Sequence, residues 1–159
     1  MSENVNPIAT IETTKGEMTL ELWKDVAPGT VDNFTKLAND GFYDGTCFHR
    51  IMAGFMIQGG DITHGNGVGG ESIYGGTFDD EIFHLNYSKR MLLSMANHGP
   101  NTNGSQFFIN TVKTRWLDNK NVAFGTVLEG QEIVEEIQEF GTLAGEPQKE
   151  ITISDSGEL

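Results

Sequence analysis

A lone arginine among large apolar side chains is the first feature of this sequence with chemical reach. Residues 47–61 read Cys47-Phe48-His49-Arg50-Ile51-Met52-Ala53-Gly54-Phe55-Met56-Ile57-Gln58-Gly59-Gly60-Asp61. Six of the fifteen are Phe, Ile or Met, which marks sheet passing through a core, with Gly54 at a bend. Alternation along a strand puts Met56 and Gln58 on one face and Ile57 on the other. A guanidinium in this setting has two roles open to it. It can lay its stem on apolar neighbours and keep its charge in water. Or it can stand as a planar, permanently charged donor beside an apolar slot.

A second stretch offers polar groups in the same style. Residues 91–97, Met91-Leu92-Leu93-Ser94-Met95-Ala96-Asn97, form a core-type strand that runs into turn formers from His98 to Ser105. Gln106-Phe107-Phe108-Ile109-Asn110 then resumes the sheet. Period two places Gln106 and Phe108 on one face, Phe107 and Ile109 on the other. A third stretch, residues 114–125, carries Trp116, Leu117 and Asn121 before Val122-Ala123-Phe124-Gly125. Between the first two lies a glycine-rich loop, residues 59–76, in which Gly65-Asn66-Gly67-Val68-Gly69-Gly70 formally fits G-x-G-x-x-G. That pattern binds dinucleotides only when it opens a helix within a βαβ unit, and here turn residues follow it. Backbone geometry beside the site is the better account. His64 and His84 have no partner at recognised ligand spacing, so no metal site is expected. His49 is expected to be a structural, satisfied histidine. Three glycosylation sequons, at Asn33, Asn86 and Asn103, carry little weight without a secretory leader.

These groups need a scaffold of short strands. Residues 8–14 and 17–23 alternate around Lys15-Gly16, a hairpin with Gly16 supplying a positive φ. Pro28-Gly29-Thr30 opens a helix whose stripe is Val31, Phe34, Leu37 and Ala38, with Gly41 just past its end. A second helix is expected over residues 130–140, ended by Gly141, and a last strand at Ile151-Thr152-Ile153. Many short strands with two isolated helices indicate an all-β sandwich or barrel. At 159 residues the chain suits a single domain, residues 1–159. The net charge of −13 argues against nucleic acid and anionic membrane surfaces as partners. No run approaches the about 20 apolar residues of a membrane span. The first residues have neither the basic nor the apolar region of a secretory signal. Cys47 is the sole cysteine, so no internal disulfide can form and a reducing, cytoplasmic setting is expected. The sequence shows no exposed apolar stripe, and a monomer is expected.

The blocks F-H-R-I…G-F-M-I-Q-G-G-D at 48–61, M-A-N-H-G-P-N-T-N-G-S-Q-F-F-I at 95–109 and W-L-D-N-K-N-V-A-F-G at 116–125 occur in this order. Together they resemble the signatures of the cyclophilins, peptidyl-prolyl cis/trans isomerases, and the likeness runs over about residues 8 to 157. It implies a closed eight-stranded antiparallel barrel capped by two α-helices, a filled interior and an external groove. It also implies roles. Arg50 would donate to the prolyl nitrogen in the twisted state. Phe55, Met56, Phe108 and Leu117 would form the proline slot, and Gln58 would orient Arg50 or hold substrate backbone. Gln106 would sit on the polar rim, the backbones of Ala96 and Asn97 would bind the residue before proline, and Trp116 would flank the groove or simply pack. Asn121 stands where many members carry histidine, and His98 where many carry a small residue, at the mouth of an upstream subsite. No cofactor is implied. Partners would be proline-containing peptides, unfolded or partly folded proteins, and cyclosporin-type ligands.

Such chemistry breaks no bond, so it calls for neither nucleophile nor metal. Resonance in the prolyl amide sets a barrier of about 18–20 kcal/mol. The site has to favour a half-rotated amide whose nitrogen has become basic. A different class of function, a module that binds proline segments with little turnover, stays open at this point, as does the remoter nucleotide-binding reading.

Overall fold

The computed structural model describes residues 6–83 and 86–159; His84 lies outside the described residues. Among the described residues, eight strands form one antiparallel sheet, accompanied by two α-helices. β1 (Ile8–Thr13) and β2 (Gly16–Leu22) make the expected hairpin, and Gly16 takes φ 139° at its turn. α1 (Pro28–Asn39) follows, with proline in its first turn where the missing N–H costs nothing. Its end is a Schellman closure: Gly41, at φ 80°, donates to Ala38 O at 3.1 Å, and Phe42 N donates to Leu37 O at 3.0 Å.

β3 (Arg50–Met52) and β4 (Met56–Gly59) form a second hairpin, bent at Gly54 with φ 72°. β5 (Leu92–Met95), β6 (Phe107–Asn110) and β7 (Ala123–Glu129) complete the middle of the sheet. α2 (Gln131–Gln138) is shorter than the stripe suggested, and β8 (Ile153–Glu158) is the last strand. Gly130, at φ 90°, turns the chain into α2. Gly141 does not end that helix by a left-handed turn. A Cβ there would lie 2.7 Å from Ile51 O, so the residue is small because backbones meet.

The strand order is β3-β4-β6-β5-β7-β2-β1-β8, all neighbours antiparallel. Here the structure corrects the expectation of a closed barrel: the ladder is open, with β3 and β8 at its ends. The physical reason lies in the last strand. Thr152 bridges Cys47, and Phe48 N donates to Ile151 O at 3.0 Å, so the start of the alternating run faces the segment before β3. Ile153 still exchanges bonds with Thr46 O and Gly45 N, both at 2.8 Å, and beyond it the chain pairs with β1 alone. The two ends approach through these few bonds without forming a shared ladder.

Inside the curve of the sheet is one continuous core, including Ile11, Leu20, Phe34, Phe48, Ile57, Leu93, Phe107, Ile109 and Phe124. Phe107 is its hinge point, with edge-on contacts to the rings of Phe34, Tyr43 and Phe48. A smaller, separate apolar cluster lies on the other face: Met56, Tyr87, Leu92, Phe108 and Ala123, with Phe55, Ala96 and Leu117 packed on it. The two follow from period two, since Met56 and Phe108 point away from Ile57, Phe107 and Ile109.

Candidate active site

On that outer face the register places Arg50 opposite Gln58, and Gln58 opposite Phe108. A cavity of about 270 Å³ opens there, lined by Arg50, Phe55, Met56, Gln58, Phe108 and Leu117, with Ala96, Asn97, His98 and Asn121 around its rim. Met56 and Phe108 are buried in its floor, whereas Arg50 is exposed. The arginine is therefore neither buried in the core nor pointing away into bulk water. Its Nη1 donates to Gln58 Oε1 at 3.5 Å and its Nη2 lies 3.2 Å from Met52 Sδ.

The glutamines continue inward. Gln58 Nε2 donates to Gln106 Oε1 at 2.9 Å, and Gln106 Nε2 donates to the carbonyls of Gly67 and Gly69 at 3.0 and 2.7 Å. Gln106 does not line the cavity that holds Arg50. It faces a neighbouring one of about 210 Å³, between the glycine-rich loop and residues 96–98. Gln58, Ala96, Asn97 and His98 border both, so the two cavities form one groove with two wells. His98 is exposed at their junction.

Leu117 is delivered by a 3₁₀ turn, Arg115–Leu117. Asn110, fully buried, anchors the loop before it: its Nδ2 donates to Lys89 O, Val112 O and Thr114 Oγ1, and its Oδ1 accepts from Leu92 N. Trp116, in the same turn, is 58% exposed and lines neither well; its ring packs on Phe55 with centroids 5.5 Å apart. Its contact is with the wall of the slot, not the slot itself.

Asn121 is tied down. Its Nδ2 donates to Met95 O at 2.9 Å, and its own carbonyl accepts from Tyr87 Oη at 2.8 Å. Tyr87 Oη also accepts from Ser94 Oγ at 2.9 Å, and burial pushes its phenol above the ordinary range, so it stays a neutral linker. Ala96 offers less than the sequence suggested: its N–H is already bound to Gln106 O at 3.1 Å.

His49 corrects an expectation. It packs beneath the glycine-rich loop, close enough that a Cβ on Gly67 would lie 2.7 Å from its Cδ2. Its Nδ1 is buried with no hydrogen-bond partner among the described residues, so the ring is structural but only partly satisfied, with the Gln106 side chain as the partner that favours its charged form. Burial lowers its pKa; the charge of Asp61 opposes this and that of Arg50 adds to it. The imidazole is accordingly neutral.

The residue that sequence reasoning missed is Asp61. It is 1% exposed and gathers backbone N–H groups from five loop residues, Thr63, His64, Asn66, Gly67 and Gly69. Burial alone would raise its pKa, but the N–H groups of His64, Gly69, Gly67 and Thr63 outweigh that and hold the carboxyl well below the usual range. The one signal available was an acidic residue after Gly59-Gly60 at the head of a glycine-rich loop. Among the described residues, no group of three or more His, Cys, Asp or Glu side chains could hold a metal ion. No helix of the described residues is long and apolar enough to cross a membrane.

What the groove can do follows from its parts: an apolar well of side-chain size, an exposed cation on its lip and amide groups along its length. Residues 8–158 match the family model described as cyclophilin type peptidyl-prolyl cis-trans isomerase/CLD.

Proposed function

The chain belongs to the cyclophilin-type peptidyl-prolyl cis-trans isomerases and is an enzyme acting on Xaa-Pro bonds, and from that premise we propose that Arg50 is its catalytic group. The supporting observation is that the Arg50 guanidinium shares one cavity with Phe55, Met56, Phe108 and Leu117. A prolyl ring seated on Met56 and Phe108 would present its nitrogen towards the lip. In the planar amide that nitrogen has no free lone pair. At half rotation the pair localises, and a charged donor gains most there, which lowers the barrier without binding either flat isomer more tightly.

Uncatalysed exchange takes tens to hundreds of seconds. Bringing it to about a thousand events per second needs about 7 kcal/mol of barrier reduction. One well-placed donor in a shielded site is worth about 10²- to 10³-fold, or about 3–4 kcal/mol. Arg50 thus carries about half, and the rest falls to the apolar slot and to Ala96, Asn97 and Gln58 holding the flanking backbone. Gln58 and Gln106 orient the guanidinium, and His98 narrows the choice of residue at the junction of the two wells. Trp116 stiffens the groove through Phe55. Unfolded or partly folded proteins are the proposed clients, cyclosporin-type ligands the proposed inhibitors, a monomer the proposed state and the cytoplasm the proposed compartment. The free Cys47 thiol is in keeping with the last of these.

Exchange spectroscopy on a short Xaa-Pro peptide tests the assignment. Arg50→Ala should slow catalysed exchange about 10²- to 10³-fold while leaving the melting temperature close to that of the parent. A loss below about tenfold would remove Arg50 from this role, since it is less than one such donor supplies. Peptide binding without accelerated exchange in the parent protein would mean a proline-binding module.

A further inference from the structure

We infer that Asp61 is a positioning residue for the isomerase reaction: it fixes the glycine-rich loop whose carbonyls orient Gln106, and through Gln106 and Gln58 it aims the guanidinium of Arg50. The inference rests on the reading of Arg50 as the catalytic donor, and it adds a residue that touches neither substrate nor arginine.

The connection can be followed atom by atom. Asp61 Oδ1 accepts from the backbone of Thr63 at 3.2 Å and His64 at 2.9 Å, and from the Thr63 hydroxyl at 3.3 Å. Oδ2 accepts from Asn66 at 3.2 Å, Gly67 at 2.8 Å and Gly69 at 3.0 Å. Among the described residues its carboxylate forms no salt bridge. Its charge is met by backbone dipoles, so the carboxylate and the shape of the loop determine one another. Gly67 and Gly69 serve twice. Their N–H groups point to Asp61, and their carbonyls accept from Gln106 Nε2.

Hydrogen-bond polarity then runs one way. An amide nitrogen only donates and its oxygen only accepts. Two carbonyls on one side therefore commit the Nε2 of Gln106 to the loop and turn its Oε1 to Gln58 Nε2, at 2.9 Å. That bond in turn leaves Gln58 Oε1 facing Arg50 Nη1. Were the loop carbonyls displaced, Gln106 could flip, Gln58 could follow, and the arginine would meet an NH₂ group instead of an oxygen. A carboxylate is required at the origin. An asparagine of the same shape would set its own NH₂ against two or three N–H donors.

The test is a double-mutant cycle on the full chain, with kcat and KM obtained by exchange spectroscopy over a range of Xaa-Pro peptide concentrations. Asp61→Asn should lower kcat about 10- to 100-fold, the scale of a small misplacement of a reacting group, with KM little changed. In a Gln106→Ala background the same substitution should add almost nothing, because its route to Arg50 is already cut. The side-chain amide resonances of Gln58 and Gln106 should shift in Asp61→Asn. Losses that multiply independently in the two backgrounds, or an unchanged kcat, would overturn the inference. If Asp61→Asn does not fold, Thr63→Ala takes its place, since it removes one partner of Oδ1 and the acceptor of the Gly70 N–H. Its smaller kcat loss must likewise vanish with Gln106→Ala; a loss that persists there, or none at all, overturns the inference. An Arg50→Ala variant that keeps its activity would sink the underlying reading of Arg50 whatever Asp61 does, whereas an inactive Arg50→Ala beside a wild-type-like Asp61→Asn would sink this inference alone.

Discussion

At the scale of single residues, the departures from the family pattern become tractable once their bonds are known. Asn121 spends its amide on Met95 O. Asn121→His should therefore leave turnover unchanged or raise it, by adding ring surface beside the slot, at a stability cost of about 1 kcal/mol for the lost bond. A clear drop in catalysed exchange would show that Asn121 does more than hold Met95. Two other residues set the response to acid. Burial holds the pKa of His49 below its ordinary value of about 6.5. The unfolded chain takes up that proton first, so stability declines as pH falls through that region. Asp61 is held below the ordinary carboxylate value of about 4. Its stabilisation is complete above that value and is lost as pH falls towards the lower folded one. Melting temperature should thus decrease in two steps on acidification, and His49→Gln should remove the first. A flat profile from pH 7 to 5 would contradict a neutral, half-buried His49.

At the scale of elements, the glycines divide into those that allow a bend and those that allow an approach. At Gly54, φ 72° between β3 and β4, an added Cβ would meet nothing within 4 Å. At Gly60, φ 90°, a Cβ would lie 2.7 Å from Ser105 O and 2.8 Å from Phe107 Cδ2. Gly54→Ala should cost about 1 kcal/mol from backbone strain alone. Gly60→Ala should cost at least about twice that, lowering the melting temperature by about 4 °C or more. Equal losses would mean that the loop yields at Gly60. The same distinction bears on what was legible in the sequence. Period two separated Gln106 and Phe108 from Phe107 and Ile109, and the structure keeps that division, outer groove against inner core. The α1 stripe and the Gly41 ending were equally readable, because local rules decide them. Asp61 was not, since its partners are backbone groups in a stretch without periodicity. Nor was the open seam, because the run 151–153 alternates as one strand yet divides its pairing between two others.

At the scale of the whole molecule, the charge of −13 is spread over a surface with three ion pairs among the described residues, all exposed. Such pairs contribute little, so repulsion among the carboxylates dominates. The melting temperature should rise between low salt and about 0.5 M salt as that repulsion is screened; a fall would mean that specific pairs outweigh it. The sheet's order has a different consequence. Arg50 rides on β3, a three-residue strand at one end of the order, laddered to β4 alone and pinned on its outer side by Ile51 N to Gly145 O at 2.9 Å and Thr142 N to Ile51 O at 3.1 Å. The floor of the slot, by contrast, rests on β4 and β6, each flanked by strands on both sides. On the proposed role of Arg50, heat or denaturant should therefore disarm the enzyme before it melts: the cation should drift from a groove that is still intact, and a proline peptide should still be held by a protein that has stopped turning it.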